Sequence, residues 1–312
     1  MTPRLRRLVT LFGVGLAVLA LGFLAATVAN SWDEVSDELA DADVGWVVVS
    51  VAIAALAMTA IAIGWWRTIV AMGGSIGFGT TIARYYVGEI GKYLPGSLWP
   101  VIGRGELAAR AEVPRPVAYG SVAVSLVSLY LAAGLVVAAL LPFLGSADEQ
   151  APLWPLLSIP LGVALLAGGL LDRLRRVAER MIGRDIDLTF PSPGASARLV
   201  ASFLPSWLLV GASTWAMTKA LVPDADLGPV VAAATLSWLA GFVAVPVPGG
   251  VGVREAVFVA AVPDLSAGVA TTVALATRLV FVLVDAGGWA LGTAWLTREL
   301  RRGRAVATST PR

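Results

Sequence analysis

One stretch of the sequence limits the possible folds more than any other, the Pro- and Gly-rich segment from Pro246 to Glu255. Apolar runs lie on both sides of it, Val230–Val245 before and Ala256–Val262 after. Proline removes a backbone donor and glycine has the largest backbone entropy, so the segment interrupts a helix inside an apolar region. Broken backbone at membrane depth survives only where protein or a water-filled cavity surrounds it. We therefore expect this break to lie inside the protein, close to a functional site.

A fainter copy of the same pattern occurs earlier, at Leu94–Pro100. An arginine and a glutamate follow each break, Arg104 with Glu106 and Arg254 with Glu255. The break residues themselves are Pro95, Gly96, Pro248, Gly249, Gly250 and Gly252. We interpret the two breaks and the charges behind them as the functional centre.

The composition predicts an all-α polytopic membrane protein, a single integral membrane domain over residues 1–312. Only 14% of the residues are charged and 57% are hydrophobic, whereas a soluble domain averages about 25% charged. The chain has no cysteine and no histidine, which excludes thiolate or imidazole metal sites and Ser-His-Asp catalysis. We therefore expect no enzyme, no catalytic residue, no metal, no cofactor and no nucleic-acid partner.

Six apolar runs have about the length of a membrane span. We read the first as an uncleaved span rather than a secretory signal, because no clear cleavage site follows it. The predicted spans are Leu11–Val28, Val44–Gly64, Pro116–Leu141, Leu153–Leu171, Leu199–Leu221 and Val269–Leu296.

The distribution of charge among the loops predicts the topology, since Lys and Arg collect on the cytoplasmic side. Basic residues mark both termini, the Arg67 region, the 110–115 connection and the 172–198 loop as cytoplasmic. The acidic loops lack Lys and Arg and are expected outside; they are 33–43, 148–149, 224–226 and Asp264. If residues 80–110 crossed the membrane once, the charges of all later loops would lie on the wrong side. These residues must therefore enter the membrane from the cytoplasm and return to it. Residues 230–262 must likewise enter and return outside.

The predicted elements form two successive sets, each in the order span, span, re-entrant hairpin, span. The first set starts on the cytoplasmic side and the second starts outside, so the two are inverted repeats. Repeat A covers about 8–141 with its hairpin at 80–110, and repeat B covers about 153–297 with its hairpin at 230–262. Such inverted repeats are typical of secondary transporters, which bind substrate near the midplane at discontinuous helices. The alternative is two ordinary kinked spans with a basic terminus outside.

Charged residues inside the last predicted span indicate buried partners. Arg278 and Asp285 are seven residues apart, so they share a helix face at a separation of about 10 Å. Each costs at least about 2.5–3.5 kcal/mol at the bilayer centre unless it is paired or lies in a cavity. Our preferred pairs are Glu255 with Arg278, and Asp285 with Arg254 or Arg104. The expected site residues are Glu89, Lys92, Arg104, Glu106, Arg254, Glu255, Arg278 and Asp285.

Two interpretations of these charges stay open. With Arg84 they comprise five basic and four acidic groups, which would suit a structural ion-pair network that holds both hairpins against the last helix. Alternatively the surplus positive charge, together with half-helix N-termini, receives an anionic headgroup.

Two motifs carry a resemblance to a known family. Tyr85-Tyr86-x-Gly-x-x-Gly-x-Tyr93-Leu94-Pro95-Gly96, then Gly103-Arg104, precede Pro248-Gly249-Gly250-Val251-Gly252-x-x-Glu255. In this order they resemble the lysylphosphatidylglycerol synthase transmembrane, or flippase-like, family over nearly the whole chain. The resemblance departs at Ser97-Leu98-Trp99-Pro100, where a further glycine is expected. It implies an integral membrane protein whose bifunctional relatives move aminoacylated phosphatidylglycerol between leaflets and carry a cytosolic aminoacyl-transferase domain. We expect a standalone member without that domain.

The leading functional hypothesis is a flippase-like protein of the cytoplasmic membrane with both termini in the cytoplasm. It would move a phospholipid or polyprenyl-linked lipid by a passive or ion-coupled route, since no phosphate-binding loop for a nucleotide is present. Glu89, Glu255 and Asp285 are candidate proton carriers. One alternative is a non-transporting partner of a membrane glycosyltransferase or lipid-modifying enzyme, docked at the arginine-rich loop 172–198. Another is a small-solute secondary transporter.

Overall fold

The computed structural model describes residues 40–93, 99–144, 154–166, 169–183, 185–243, 252–262 and 264–309. The expected first span, Leu11–Val28, lies outside these ranges, as do Pro95, Gly96, Pro248, Gly249 and Gly250. Within them the regular structure is helical. The helices are α1 (Val44–Ala71), α2 (Phe78–Glu89), α3 (Trp99–Ala109), α4 (Arg115–Leu140), α5 (Ser158–Leu166), α6 (Leu170–Ile182), α7 (Pro193–Leu221), α8 (Leu227–Val243), α9 (Val253–Ala261) and α10 (Ala267–Ser309).

Four helices are long and apolar enough to cross a membrane, namely α1, α4, α7 and α10. Their candidate spans contain 28 to 33 residues, more than the roughly 20 that a bilayer requires. At the start of α1 the Asp43 carboxylate accepts a hydrogen bond of 2.7 Å from the Gly45 amide, a normal N-cap. These helices coincide with four of the six spans that hydropathy predicts.

The predicted span Leu153–Leu171 is not one continuous helix in the described residues. A 3-10 turn (Trp154–Leu157) leads into α5, which has nine residues and a length of only about 14 Å. Gly169 then adopts a left-handed φ of 65° and starts α6. Gly169 explains the interruption, because glycine tolerates the left-handed region and weakens a helix.

The centre of the bundle is the antiparallel contact between α1 and α7. The Asp43 amide donates to the Ala220 carbonyl at 3.0 Å near one end, and Gly64 faces the Phe203 ring toward the other. Between them Ser50 and Ser213 exchange hydrogen bonds, each hydroxyl donating to the other's carbonyl at 2.8 and 3.0 Å. Small residues and hydroxyl groups allow such close packing between apolar helices.

The two short helices α2 and α3 form the first hairpin. The Arg84 guanidinium donates to the Leu107 carbonyl at 2.9 Å, and Gly88 lies against Arg104, so the helices run antiparallel. The start of α2 contacts the last part of α10, where Thr80 donates to Glu299 at 2.7 Å. Both open ends of this hairpin therefore lie at one end of the bundle.

Helices α8 and α9 form the second hairpin, which opens at the opposite end. Gly241 lies against Arg254, while Val230 and Val262 pack in one apolar cluster with Leu144, just after α4. The start of α4 lies instead beside the end of α1 and beside α3, the second helix of the first hairpin. The two hairpins thus enter the bundle from opposite ends, and their re-entry into a membrane stays a prediction.

Labelling of single cysteines tests this orientation, and the chain has no native cysteine to interfere. We expect Asp226→Cys, before α8, to react with a membrane-impermeant maleimide on intact cells. Val177→Cys on α6, where the native side chain is 49% exposed, should react only after permeabilisation, because the arginines around it favour the cytoplasmic side. Equal labelling of Val177→Cys from outside would contradict the inverted arrangement.

Candidate functional site

Asp285 is the most deeply buried charge of the site, at 1% exposure. Its Oδ2 atom lies 2.6 Å from the Lys92 ammonium and accepts a hydrogen bond of 2.5 Å from the Tyr93 hydroxyl. Lys92 and Tyr93 lie in the 3-10 turn Ile90–Tyr93, which follows α2 directly. The tighter turn presents two successive side chains to α10, so the first hairpin is joined to the last helix by a charge.

Glu89, the last residue of α2, contacts two cations. One carboxylate oxygen lies 3.5 Å from the Lys92 ammonium, and the other lies 3.9 Å from the Arg104 Nε. Arg104 is 3% exposed, with its guanidinium 5.5 Å from the ring centre of Tyr85. Glu89 therefore neutralises the inner end of the first hairpin.

The second hairpin contributes the pair Glu255–Arg278. The Arg278 Nη1 atom donates to Glu255 Oε1 at 3.0 Å, and both side chains are about one-seventh exposed. This pair confirms the partner that the sequence predicted for Arg278. Its position just inside α9 means that the second hairpin also contacts α10 through a charge.

The predicted partners of Asp285 were wrong, because neither Arg104 nor Arg254 is paired with it. Arg104 crosses α2 at Gly88 and is directed toward Tyr85, while the 3-10 turn brings Lys92 to Asp285 instead. A tight turn of this kind has no strong sequence signature, and the helical spacing alone did not reveal it.

Arg254 differs from the other cations of the site. Its guanidinium lies 4.2 Å from the ring centre of Trp238, a close cation–π contact. No carboxylate of the described residues lies within ion-pair distance of it. The Tyr130 ring of α4 stacks on Phe242 of the second hairpin, with the centres 3.2 Å apart, and α4 also packs against α3 of the first hairpin.

The charges at the site do not balance in the described residues. Lys92, Arg104, Arg254 and Arg278 provide four positive charges, whereas Glu89, Glu255 and Asp285 provide three negative ones. Several buried polar atoms also have no hydrogen-bond partner among the described residues, namely Glu89 Oε2, Glu255 Oε2, Asp285 Oδ1 and Arg254 Nε. Unsatisfied buried groups are rare in proteins, so this cluster indicates a place for a polar ligand or water.

Glu106 lies apart from this cluster. It is one-third exposed and contacts Arg110 at 3.3 Å, Arg115 at 3.7 Å and the Tyr119 hydroxyl at 3.4 Å, near the open end of the first hairpin. Gly252 is exposed and precedes α9 with a φ of 78°, a conformation that favours glycine. The structure therefore gathers seven of the eight predicted charges, and Glu106 is not among them.

Across the described ranges no three acidic side chains are grouped as they would be to hold a metal ion.

Four aromatic residues of the site, Tyr85, Tyr93, Tyr130 and Trp238, were not among the expected site residues, although Tyr85 and Tyr93 belong to the first motif. Two of these residues could have been found from the sequence, because the same spacing occurs before both breaks. An aromatic residue, Tyr85 or Trp238, stands three positions before a glycine, and that glycine stands at the same distance before a Pro-Gly pair. Tyr130 lies inside an apolar helix without a neighbouring motif. Its role becomes visible only when α4 is packed between the hairpins.

Comparison with known proteins yields one finding beyond the geometry. No curated protein matches the chain significantly. A family model described as the lysylphosphatidylglycerol synthase TM region matches residues 10–286. That range includes every charged side chain of the cluster and both hairpins. With four membrane-length helices in the described residues, the protein is a multi-pass membrane protein, and it belongs to the lysylphosphatidylglycerol synthase transmembrane family.

Proposed function

We propose that the protein is a lipid translocase of the cytoplasmic membrane that moves an anionic headgroup between the two hairpins. The observation that carries the proposal is Arg254, a cation held on Trp238 at the inner end of a hairpin without a carboxylate partner among the described residues. A charge inside an apolar bundle costs several kcal/mol when it is unpaired. An anion that binds it offsets part of this cost.

The depth of the charges supports a substrate path rather than a surface site. Arg278 and Asp285 lie 11 and 18 residues into α10, which corresponds to about 16 and 27 Å along the helix. Charged groups at such depth in membrane proteins normally mark a substrate or ion pathway. Because the hairpins open at opposite ends of the bundle, their inner ends provide a meeting point from either side.

The surrounding apolar surface suits a lipid more than a small solute. Large aliphatic side chains of α1, α4 and α10 are exposed on the outside of the bundle, where acyl chains would stay while the headgroup crosses. The paired carboxylates Glu89, Glu255 and Asp285 are the groups available to carry a proton if the movement is ion-coupled. Without such coupling the movement is passive.

Reconstitution tests the proposal directly. Proteoliposomes would be loaded with fluorescent phosphatidylglycerol, phosphatidylethanolamine or a polyprenyl phosphate, and dithionite quenching would report the lipid that changes leaflet. We expect protein-dependent movement of at least one anionic lipid. If no lipid moves and one membrane enzyme co-purifies in stoichiometric amount, the protein is instead a docking partner. If a soluble anion crosses without lipid, it is a solute transporter.

Arg254→Gln should lower the rate of lipid movement about tenfold to a hundredfold. Loss of one hydrogen bond to a charged group costs about 1.5–3 kcal/mol, and each 1.4 kcal/mol is a factor of ten. The melting temperature should stay close to that of the native protein, because the lost cation–π contact with Trp238 is offset by removal of a buried charge that has no carboxylate partner in the described residues. The matched control is Arg67→Gln, at an exposed position on α1, which should move lipid normally. A variant of Arg254 that moves lipid at the native rate would contradict the proposal.

A further inference from the structure

The two hairpins contain the same local arrangement, which we call the aromatic–glycine notch. In the first hairpin it consists of Tyr85, Gly88 and Arg104, and in the second of Trp238, Gly241 and Arg254. The aromatic residue and the glycine lie three residues apart on the first helix, and the arginine lies on the second helix. In both hairpins the glycine precedes the Pro-Gly pair by seven residues.

The glycine explains how each arginine reaches its place. A Cβ on Gly88 would lie 2.7 Å from the Arg104 Cγ, and a Cβ on Gly241 would overlap the side chain of Arg254. The absence of a side chain lets the arginine cross its partner helix there. Its guanidinium then comes to rest over the aromatic ring, at 5.5 Å from Tyr85 in one notch and 4.2 Å from Trp238 in the other.

The two notches differ in the residue that follows the glycine. In the first it is Glu89, whose carboxylate lies 3.9 Å from the Arg104 Nε. In the second it is Phe242, whose ring stacks on Tyr130 with the centres 3.2 Å apart. The first notch therefore contains its own counter-ion, whereas the corresponding position in the second is apolar.

We infer that the second notch binds a phosphate monoanion, in the position relative to Arg254 that the Glu89 carboxylate takes relative to Arg104. The guanidinium presents its N–H donors to the phosphate oxygens, and planar guanidinium groups suit phosphate well. Tyr130, whose ring stacks on Phe242 next to Gly241, offers its hydroxyl as a further donor. This inference rests on the proposed function and names the chemical group that its site recognises.

The inference predicts a selective effect of a carboxylate placed at position 242. Phe242→Glu supplies the second notch with an internal counter-ion, and we expect it to weaken binding of dihexanoyl phosphatidylglycerol at least tenfold. Phe242→Gln, of nearly the same size but uncharged, should retain binding within about threefold. Phe242 is 38% exposed, so neither substitution falls in the fully buried core. Isothermal titration in detergent gives the affinity.

The reciprocal variant is Glu89→Gln, which removes the counter-ion of the first notch. We expect it to raise the number of phosphatidylglycerol molecules bound per protein from one to two, because Arg104 becomes available. If Phe242→Glu does not fold, the test is the number of phosphatidylglycerol molecules bound per Glu89→Gln protein. A number that stays at one overturns the inference. Undiminished binding by folded Phe242→Glu, or an equal loss in Phe242→Gln, also overturns it.

The source of the phosphate is resolved by the ligand used. Inorganic phosphate that binds as tightly as dihexanoyl phosphatidylglycerol identifies a free anion site, and weaker binding identifies a lipid headgroup. Dihexanoyl glycerol, which lacks the phosphate, should not bind, and binding at native strength would overturn the inference. If the notch binds phosphatidylglycerol but reconstituted protein moves no lipid, the translocase proposal fails and the binding site stands.

Discussion

Arg278→Gln is expected to lower the free energy of unfolding by about 3–5 kcal/mol. The substitution leaves the Glu255 carboxylate only 14% exposed and without its partner, and an uncompensated buried charge costs that amount. Its other oxygen, Oε2, already lacks a hydrogen-bond partner, so no second donor in the described residues can compensate. Unfolding by increasing fractions of sodium dodecyl sulfate in mixed micelles measures the change.

The double variant Glu255→Arg with Arg278→Glu tests whether the two residues form a structural ion pair or bind a ligand. If the two residues only hold α9 against α10, the exchange restores most of the stability. Glu106→Gln is the matched control, since its partners Arg110 and Arg115 are 64% and 75% exposed and surface pairs contribute about 0–1 kcal/mol. If Glu106→Gln and Arg278→Gln lower the free energy of unfolding by similar amounts, burial of the ion pair does not determine how much its loss destabilises the protein.

Lys92→Met should destabilise the protein by about 3–5 kcal/mol, and clearly more than Asp285→Asn. The two residues form one ion pair of 2.6 Å, but Lys92 is 25% exposed whereas Asp285 is 1% exposed. Without Lys92 the Asp285 carboxylate stays buried, and within the described ranges the Tyr93 hydroxyl is its remaining donor. Without the Asp285 charge, the Lys92 ammonium still has Glu89 at 3.5 Å and reaches water along its flexible chain.

The double variant Lys92→Met with Asp285→Asn should recover most of the loss, because it removes the charge that would otherwise be buried alone. A double-mutant cycle on the same unfolding assay gives the coupling between the two residues. Equal costs for the two single variants would contradict the assigned burial. A double variant no more stable than Lys92→Met would show that the lysine acts through another contact.

Hydrophobic length was sufficient to predict the four long helices, because a run of about 20 apolar residues has few other stable structures. The pair Glu255–Arg278 was also predictable, since α9 and α10 follow each other in the chain. The contact between Lys92 and Asp285 was not, because it depends on a 3-10 turn that brings residues 193 positions apart in sequence together. The same holds for Tyr130, which reaches the site only through the packing of α4.

Two departures from prediction follow from local residues. The apolar run Leu153–Leu171 suggested one span, but Gly169 adopts a left-handed φ within it, and hydropathy does not measure backbone freedom. The arginine-rich segment that follows was expected as a loop, yet α6 is helical. Arg175 bonds Glu179 one turn later at 2.7 Å, and the same carboxylate accepts from the Ile186 amide at 3.1 Å. Pairs at this spacing stabilise a helix that is too polar to span a membrane.

The reciprocal hydrogen bonds between Ser50 and Ser213 restrict how α1 and α7 can move against each other. Each hydroxyl is fully buried and bonds the opposite carbonyl, so one register of α1 against α7 satisfies both. Sliding by one helical turn, about 5.4 Å, would break both bonds in a place that water does not reach. Such a slide is therefore costly, since each buried group left without a partner costs about 1–3 kcal/mol, and we expect α1 and α7 to keep this register when other helices of the bundle move.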